Sequence, residues 1–406
     1  MRALKQEKKL LRIIYLLCIL LFTNLGLLQK PFDKFAILMG IVLCVLIGYS
    51  HFIIRRFYPD GDKFILIFTS VLAVVGIAML YRIDRALAIK QLIWVSLGVV
   101  GYILLVVILP DLKSFAKYKK VYMIATLILM PLASIFGTVL GGAKNWIVIG
   151  GFSIQPSEFG KIALVLYLAA ALIGYESKNN IKEDFKQLVE PALVAMFSLG
   201  CMVLQADLGT TLIYFGISVA MLYAATGKKK YVYTCLGLSS LGAIVAYFIF
   251  PHVQNRVLIW RDLWDYAHGA SYQIVEGLYS ISAGGLTGVG LGQGHFDSLP
   301  VKESDMIYAV IAEEFGIIFA IGLMIIYFLL FYRGIRMAII NKDRFSQLIA
   351  VGFSTMIACQ TLVIVGGIFS VIPLTGITLP IISYGGSSVL SIFFTLGILQ
   401  KISEEA

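Results

Sequence analysis

Twelve apolar runs, each about the length of a bilayer crossing, constrain this chain more than any other feature. A transmembrane helix needs about 20 mostly apolar residues. Such runs lie near residues 11–28, 34–54, 64–81, 91–109, 121–140, 160–175, 188–204, 209–226, 231–250, 305–332, 346–370 and 379–400. Only 14% of the 406 residues are charged, where a soluble domain carries about 25%. The predicted fold class is an all-α polytopic membrane protein of about 12 transmembrane helices. The start, basic and then apolar, mimics a signal peptide. No small-x-small cleavage site follows before Gln29-Lys30-Pro31, so a retained first span is expected.

The formal net charge of +10 has the ordinary cause in a membrane protein, Lys and Arg in cytoplasmic loops, and does not point to nucleic acid. An even span count puts both termini on one side. About 23 of the 33 Lys and Arg fall on that side, which the positive-inside rule makes the cytoplasm. Arg82, Arg85 and Lys90 resist, because this topology places them outside. Cys18, Cys44, Cys201, Cys235 and Cys359 all sit in apolar runs without a CxxC, so neither disulfide nor metal site is expected. The four histidines form no metal-ligand spacing.

Residues 251–304 then become a large extracellular loop. Loops beyond about 15 residues are usually functional or disordered, and this one is too aromatic for disorder. Val253, Val257, Trp260 and Trp264 recur at helical spacing, predicting a short amphipathic helix in the headgroup plane. Arg256 and Arg261 beside them are either solvated charges or forks for a lipid-borne phosphate. The glycine-dense stretch Gly284–Gly294 is either a tight turn or a backbone cradle for an anion; it is no nucleotide-binding loop. Asp305 opens a run to Tyr332 of about 42 Å at 1.5 Å per residue. Its carboxylate is either first-turn decoration behind a Ser304 cap or a general base. Glu313 and Glu314 follow about 12 Å further on, at a depth where ionisable groups are paired or functional. Glu158 and Lys161 stand at i,i+3 and can pair. Lys144 and Trp146 occupy the preceding loop, and Asp207 a turn suited to capping or lining a cavity. Pro373–Ser388 carries prolines, glycines and serines where irregular backbone needs protein or water cover, which marks a cavity wall.

Six of these pieces, in this order, resemble the SEDS family of shape, elongation, division and sporulation proteins. They are GAKNWI…QPSEFGK, LQADLGTT, NRV…W…GASYQ, GLTGVGLGQG, LP…SD…AEEFG and PLTGITLPIISYGGSS, spread over about residues 64–400. The family has a ten-span core, so the resemblance implies a membrane domain over 64–406 and a two-span N-terminal extension over 1–63. It implies a peptidoglycan glycosyltransferase that polymerises lipid II on the outer face of the bacterial cytoplasmic membrane. The acceptor's 4-hydroxyl attacks the donor's anomeric carbon with inversion, a β-1,4 bond forms, and undecaprenyl diphosphate leaves. The family's catalytic aspartate falls on Asp305. Trp146, Glu158 and Lys161 match family positions linked to activity, and Lys144, Arg256, Gln273 and Ser383 complete the expected substrate contacts. The implied partners are membrane lipids and a class B penicillin-binding protein transpeptidase.

The chain departs from the family pattern beside its base. Where many members read P-E-x-H-T-D, Val301 replaces the Glu and Glu303 the His, and Ala206 replaces the proline of QPDLGT. A nearby Glu303 would raise the pKa of Asp305, which suits a general base, or would recruit a divalent cation, Mg or Mn, near the leaving diphosphate. Two other classes stay open: a lipid II flippase, which needs no base, and a non-catalytic membrane scaffold for a transpeptidase. Roles in elongation, division and sporulation are not distinguished.

Overall fold

The computed structural model describes residues 2–140, 142–150, 152–178 and 180–405. Gly141 and Gly151, within the expected loop 141–159, lie outside the described residues. The helices are α1 (Arg2–Leu28), α2 (Lys34–Phe57), α3 (Phe64–Ile83), α4 (Arg85–Ile108), α5 (Lys119–Phe136), α6 (Pro156–Leu172) and α7 (Ile181–Leu204). After them come α8 (Leu208–Thr226), α9 (Lys229–Ile249), α10 (Pro251–Arg261), α11 (Tyr272–Gly284), α12 (Ile307–Ile340), α13 (Arg344–Ile368) and α14 (Gly386–Glu404). Eleven helices among the described residues are long and apolar enough to cross a membrane. The remaining expected run, 160–175, falls on α6, whose 17 residues sit at the short end of spanning lengths.

Short polar side chains start several of these helices. Asp33, Asp84, Asp207 and Asp343 accept backbone N–H bonds from Phe35, Ala86, Thr210 and Ser346, satisfying donors that the first turn leaves unpaired. Several hydroxyls buried inside the spans bond one turn back, as Thr69 does to Ile65 and Ser354 to Ala350, which gives them a partner away from water.

Four expectations need correction. The stretch 251–304 is not loop throughout, since it holds α10, α11 and a 3-10 turn at Phe296–Ser298. The expected loop 141–159 belongs to a small antiparallel sheet of β1 (Thr138–Leu140), β2 (Ala143–Ile149) and β3 (Phe152–Ile154), with Thr138 opposite Trp146 and Val148 opposite Ser153. The run after Asp305 is not one helix: α12 starts at Ile307 and breaks at Gly316, whose φ of 83° and ψ of 165° are non-helical. The last span begins at Gly386, later than residue 379, because 371–385 is irregular.

The chain divides into two compact units. One comprises Met1–Leu109, Tyr272–Arg333 and Thr378–Glu405; the other comprises Pro110–Ser271 and Gly334–Ile377. In the first, α14 packs along α4, with Gly98 directly beneath the Phe393 ring. Gly76 of α3 lies against the backbone of Ile382, where a Cβ would come within 2.7 Å of Cα. That close approach lays the irregular segment 378–385 flush on α3. In the second unit α13 packs on α8 and α6, and α5 on α6. No residue of α9 is buried, as suits a helix surrounded by lipid.

Candidate active site

In the first unit the backbone around Asp305 is held from several directions. Ser304 Oγ donates to Asp305 Oδ1 at 3.1 Å, so Ser304 is not the expected helix cap; the helix begins two residues after Asp305. The Asp305 side chain is half-buried. Ser383 Oγ donates to the Ser304 carbonyl at 2.6 Å and accepts from the Leu379 N–H at 2.8 Å. The Tyr384 N–H donates to the Glu303 carbonyl at 2.9 Å. With its hydroxyl buried and engaged on both sides, Ser383 holds this turn. Val301 has φ 51° and Ile381 φ 71°. Both are β-branched residues in a region that such side chains rarely enter. Strained backbone persists only where the surroundings over-determine it, and it clusters at functional sites. Gln273, on α11, is half-buried with its Nε2 buried and unpartnered, so it retains hydrogen-bonding capacity.

The glycine-dense stretch has a structural explanation. The break at Gly316 leaves carbonyls and N–H groups of α12 without helical partners, and residues 285–290 supply them. Val289 N–H donates to Glu313 O and Gly290 N–H to Glu314 O, while Ile317 and Ile318 N–H donate to Gly285 O and Leu286 O. The two carboxylates take further amides: His295 N–H donates to Glu313 Oε1 at 2.7 Å and Gly294 N–H to Glu314 Oε1 at 3.4 Å. Amides spent in this way cannot cradle a phosphate. Of the readings left open, the tight turn holds for these residues. Arg82 donates to Glu314 Oε1 at 3.2 Å and to the Gly292 carbonyl at 3.2 Å. Arg85 lies over the Phe35 ring at 3.9 Å, with Asp33 at the same distance. Two of the three cations that resisted the charge rule are therefore locally engaged.

In the second unit three sequence motifs converge on Asp207. Besides capping α8, its Oδ2 accepts from Asn145 Nδ2 at 2.8 Å and Gln155 Nε2 at 2.9 Å. Ala206, where the family pattern has proline, takes φ 60° and donates its N–H to Val203 O. A proline ring, fixed near −65° and lacking the N–H, could do neither. Glu158 and Lys161 pair as expected at 2.9 Å, but inside the protein. Lys161 is fully buried and also donates to Gln360 Oε1 at 2.9 Å. Lys144 is exposed and donates to the Ser134 carbonyl at 2.7 Å. Trp146 is half-buried in β2. Arg256 Nη1 donates to Leu374 O at 3.1 Å and Trp260 Nε1 to Ser370 O at 2.8 Å. The expected headgroup helix is thus α10, tied to protein carbonyls, and Trp264 falls in the turn after it. Burial first, then the Arg256 guanidinium, push the His252 imidazole below its ordinary range.

Sequence reasoning missed Gln91, Gln155, Gln360 and Asn145, buried amides in otherwise apolar or short stretches. A lone amide in an apolar run is the signal that could have found the first and third. Among the described residues no three His, Cys, Asp or Glu side chains are grouped to hold a metal ion. A cavity of about 320 Å³ between Ala224, Ile335, Arg344 and Gln347 includes none of the expected site residues.

The profile of the cell cycle protein family that groups FtsW, RodA and SpoVE matches residues 62–406. The chain is 36% identical over 391 residues to the peptidoglycan glycosyltransferase RodA of Mycobacterium tuberculosis, covering 90% of this chain and 83% of that one. It is 33% identical over 359 residues to stage V sporulation protein E of Bacillus subtilis, with coverages of 84% and 96%. Among solved structures it is similar to a chain of a peptidoglycan synthase complex that coordinates polymerization and crosslinking. That match has a TM-score of 0.71 and 25% identity, covering 84% of this chain and 97% of that one.

Proposed function

Because the chain belongs to the cell cycle protein family of FtsW, RodA and SpoVE, we propose that it is a multi-pass membrane peptidoglycan glycosyltransferase that polymerises lipid II. The observation that carries the residue assignment is the Asp305 turn, a half-buried carboxylate on strained backbone fixed by Ser383 and Tyr384. Asp305 is the general base. It takes the proton of the acceptor's 4-hydroxyl as that oxygen bonds to the donor's anomeric carbon, and the bond to undecaprenyl diphosphate breaks with inversion. A base need only stand within hydrogen-bond reach of that proton and be deprotonated at working pH. Holding such a group rigidly in place is worth orders of magnitude in rate.

In the first unit Gln273 offers a substrate its unpartnered Nε2, and in the second the Arg256 guanidinium has the fork that suits diphosphate oxygens. Trp146 and Lys144 offer a ring and an ammonium at the β-sheet. Glu158 and Lys161 contribute through the packing of α6 rather than by contact, since both are buried and bonded within the protein. Both termini are cytoplasmic and the Asp305 turn faces outward, as the Lys and Arg distribution supports. Residues 1–63 form a two-span element added to the family core. The crosslinking partner is a class B penicillin-binding protein, by analogy with the similar synthase complex.

Purified protein, alone and with that transpeptidase, tests the reading on purified lipid II. Long glycan strands are expected. Absence of polymer in both cases, with lipid II translocated across liposomes, would replace this reading by the flippase.

A further inference from the structure

We infer that Gln91 is a positioning residue for Asp305, acting through the irregular segment 381–385; the inference rests on the glycosyltransferase reading. Gln91 lies on α4 with no exposed surface. Three hydrogen bonds tie its amide to that one segment. Nε2 donates to the Ser383 carbonyl at 2.9 Å and the Ile381 carbonyl at 3.3 Å, and Oε1 accepts from the Gly385 N–H at 3.4 Å. A primary amide carries two donors and an acceptor on one plane, so it can meet carbonyls and an N–H that no helix pairs here. An apolar side chain at this place would leave them unpaired in a buried site.

The clamped segment is the one that holds the base. Ser383 Oγ reaches the Ser304 carbonyl and Tyr384 N–H the Glu303 carbonyl, the two residues immediately before Asp305. Ile381, whose carbonyl accepts one of the Gln91 bonds, sits at φ 71°, a conformation that needs holding. The path is therefore short: the Gln91 amide, the backbone of 381–385, the backbone of 303–304, the Asp305 carboxylate. A misplacement of about 1 Å in such a group lowers rates by about 100-fold.

The test measures kcat and KM for lipid II polymerisation per folded molecule in Gln91→Met, Ser383→Ala and the double variant. Tyr102→Phe serves as a control, because it breaks a buried hydrogen bond of the same unit, to Gln400, away from the segment. Gln91→Met is expected to lose about 30-fold in kcat with KM within about threefold, and the double variant to be no slower than the slower single one. Tyr102→Phe should keep its kcat. If Gln91→Met does not fold, Gln91→Asn, which keeps the amide and withdraws it by one methylene, is expected to lose about tenfold in kcat. Unchanged kcat in the folded Gln91 variant, a change in KM alone, or independent multiplication of the two single effects would overturn the inference while leaving the glycosyltransferase reading intact. A wild-type protein that makes no polymer, even with its transpeptidase, would overturn both.

Discussion

At Val301 a β-branched side chain occupies φ 51°, where L-residues lose about 1–2 kcal/mol. Its carbonyl accepts from both Ser304 and Met306 N–H, so the turn before Asp305 is kept at that expense. Val301→Gly is expected to raise the thermal midpoint, corresponding to about 1 kcal/mol, and a lower midpoint would refute the strain. Arg82 and Glu314 are a different case. The Glu314 side chain has no exposed surface, and removing one partner of a buried pair costs about 3–5 kcal/mol. Arg82→Met is expected to cost about 3 kcal/mol, and Arg82→Met with Glu314→Gln clearly less, as read by unfolding of the purified variants. His252 carries a pH prediction. Its native pKa is depressed, so the unfolded chain binds the proton first as pH falls. Stability is full above the unfolded value of about 6.5 and is lost as pH drops through it toward the native value. Between pH 7 and 5 the thermal midpoint should fall further in wild type than in His252→Leu.

The break in α12 and the glycine stretch behave as one element, and the glycines within it are not equivalent. A Cβ on Gly288 would lie 2.2 Å from the Glu314 carbonyl oxygen, whereas Gly285 has nothing within 4 Å. Both have positive φ, but only Gly288 adds a clash with backbone. Gly288→Ala is expected to cost more than about 3 kcal/mol and Gly285→Ala about 1–2 kcal/mol, a ranking that thermal unfolding checks directly. Elements of this kind also show where sequence reading stops. The long spans were legible because hydrophobicity over about 20 residues is a strong local signal, and the short turn at Asp207 left it only capping or lining a cavity, of which the cap is observed. The break at Gly316 was hidden, since AEEFG has ordinary helical composition and the partner that stabilises the break comes from residues 285–290. The sheet at 138–154 was hidden because two of its strands have only three residues. Glu313 and Glu314 were flagged by depth alone. Their partners, including Arg82 from 232 positions away, are a matter of tertiary pairing that no local pattern records.

For the whole molecule, a membrane scaffold bonds many of its polar side chains to each other or to irregular backbone, and two of the four non-glycine residues with positive φ, Val301 and Ile381, lie in the segments that meet beside Asp305. The assignment of Asp305 as the base rests on the family pattern, because residue logic divided it evenly between helix decoration and catalysis. The orientation across the membrane is a separate claim. A cysteine placed at exposed His268 should react with an impermeant thiol reagent added to intact cells, and one at exposed Lys178 only after permeabilisation. The reverse pattern would invert the topology. The central claim is that Asp305 performs the chemistry, and the most direct measurement is kcat for lipid II polymerisation by Asp305→Asn, with lipid II binding determined on the same purified samples. A loss of about 10³-fold or more in kcat, with binding within about threefold of wild type, is the expected result. A variant that binds normally and still polymerises at a tenth of the wild-type rate or better would contradict it.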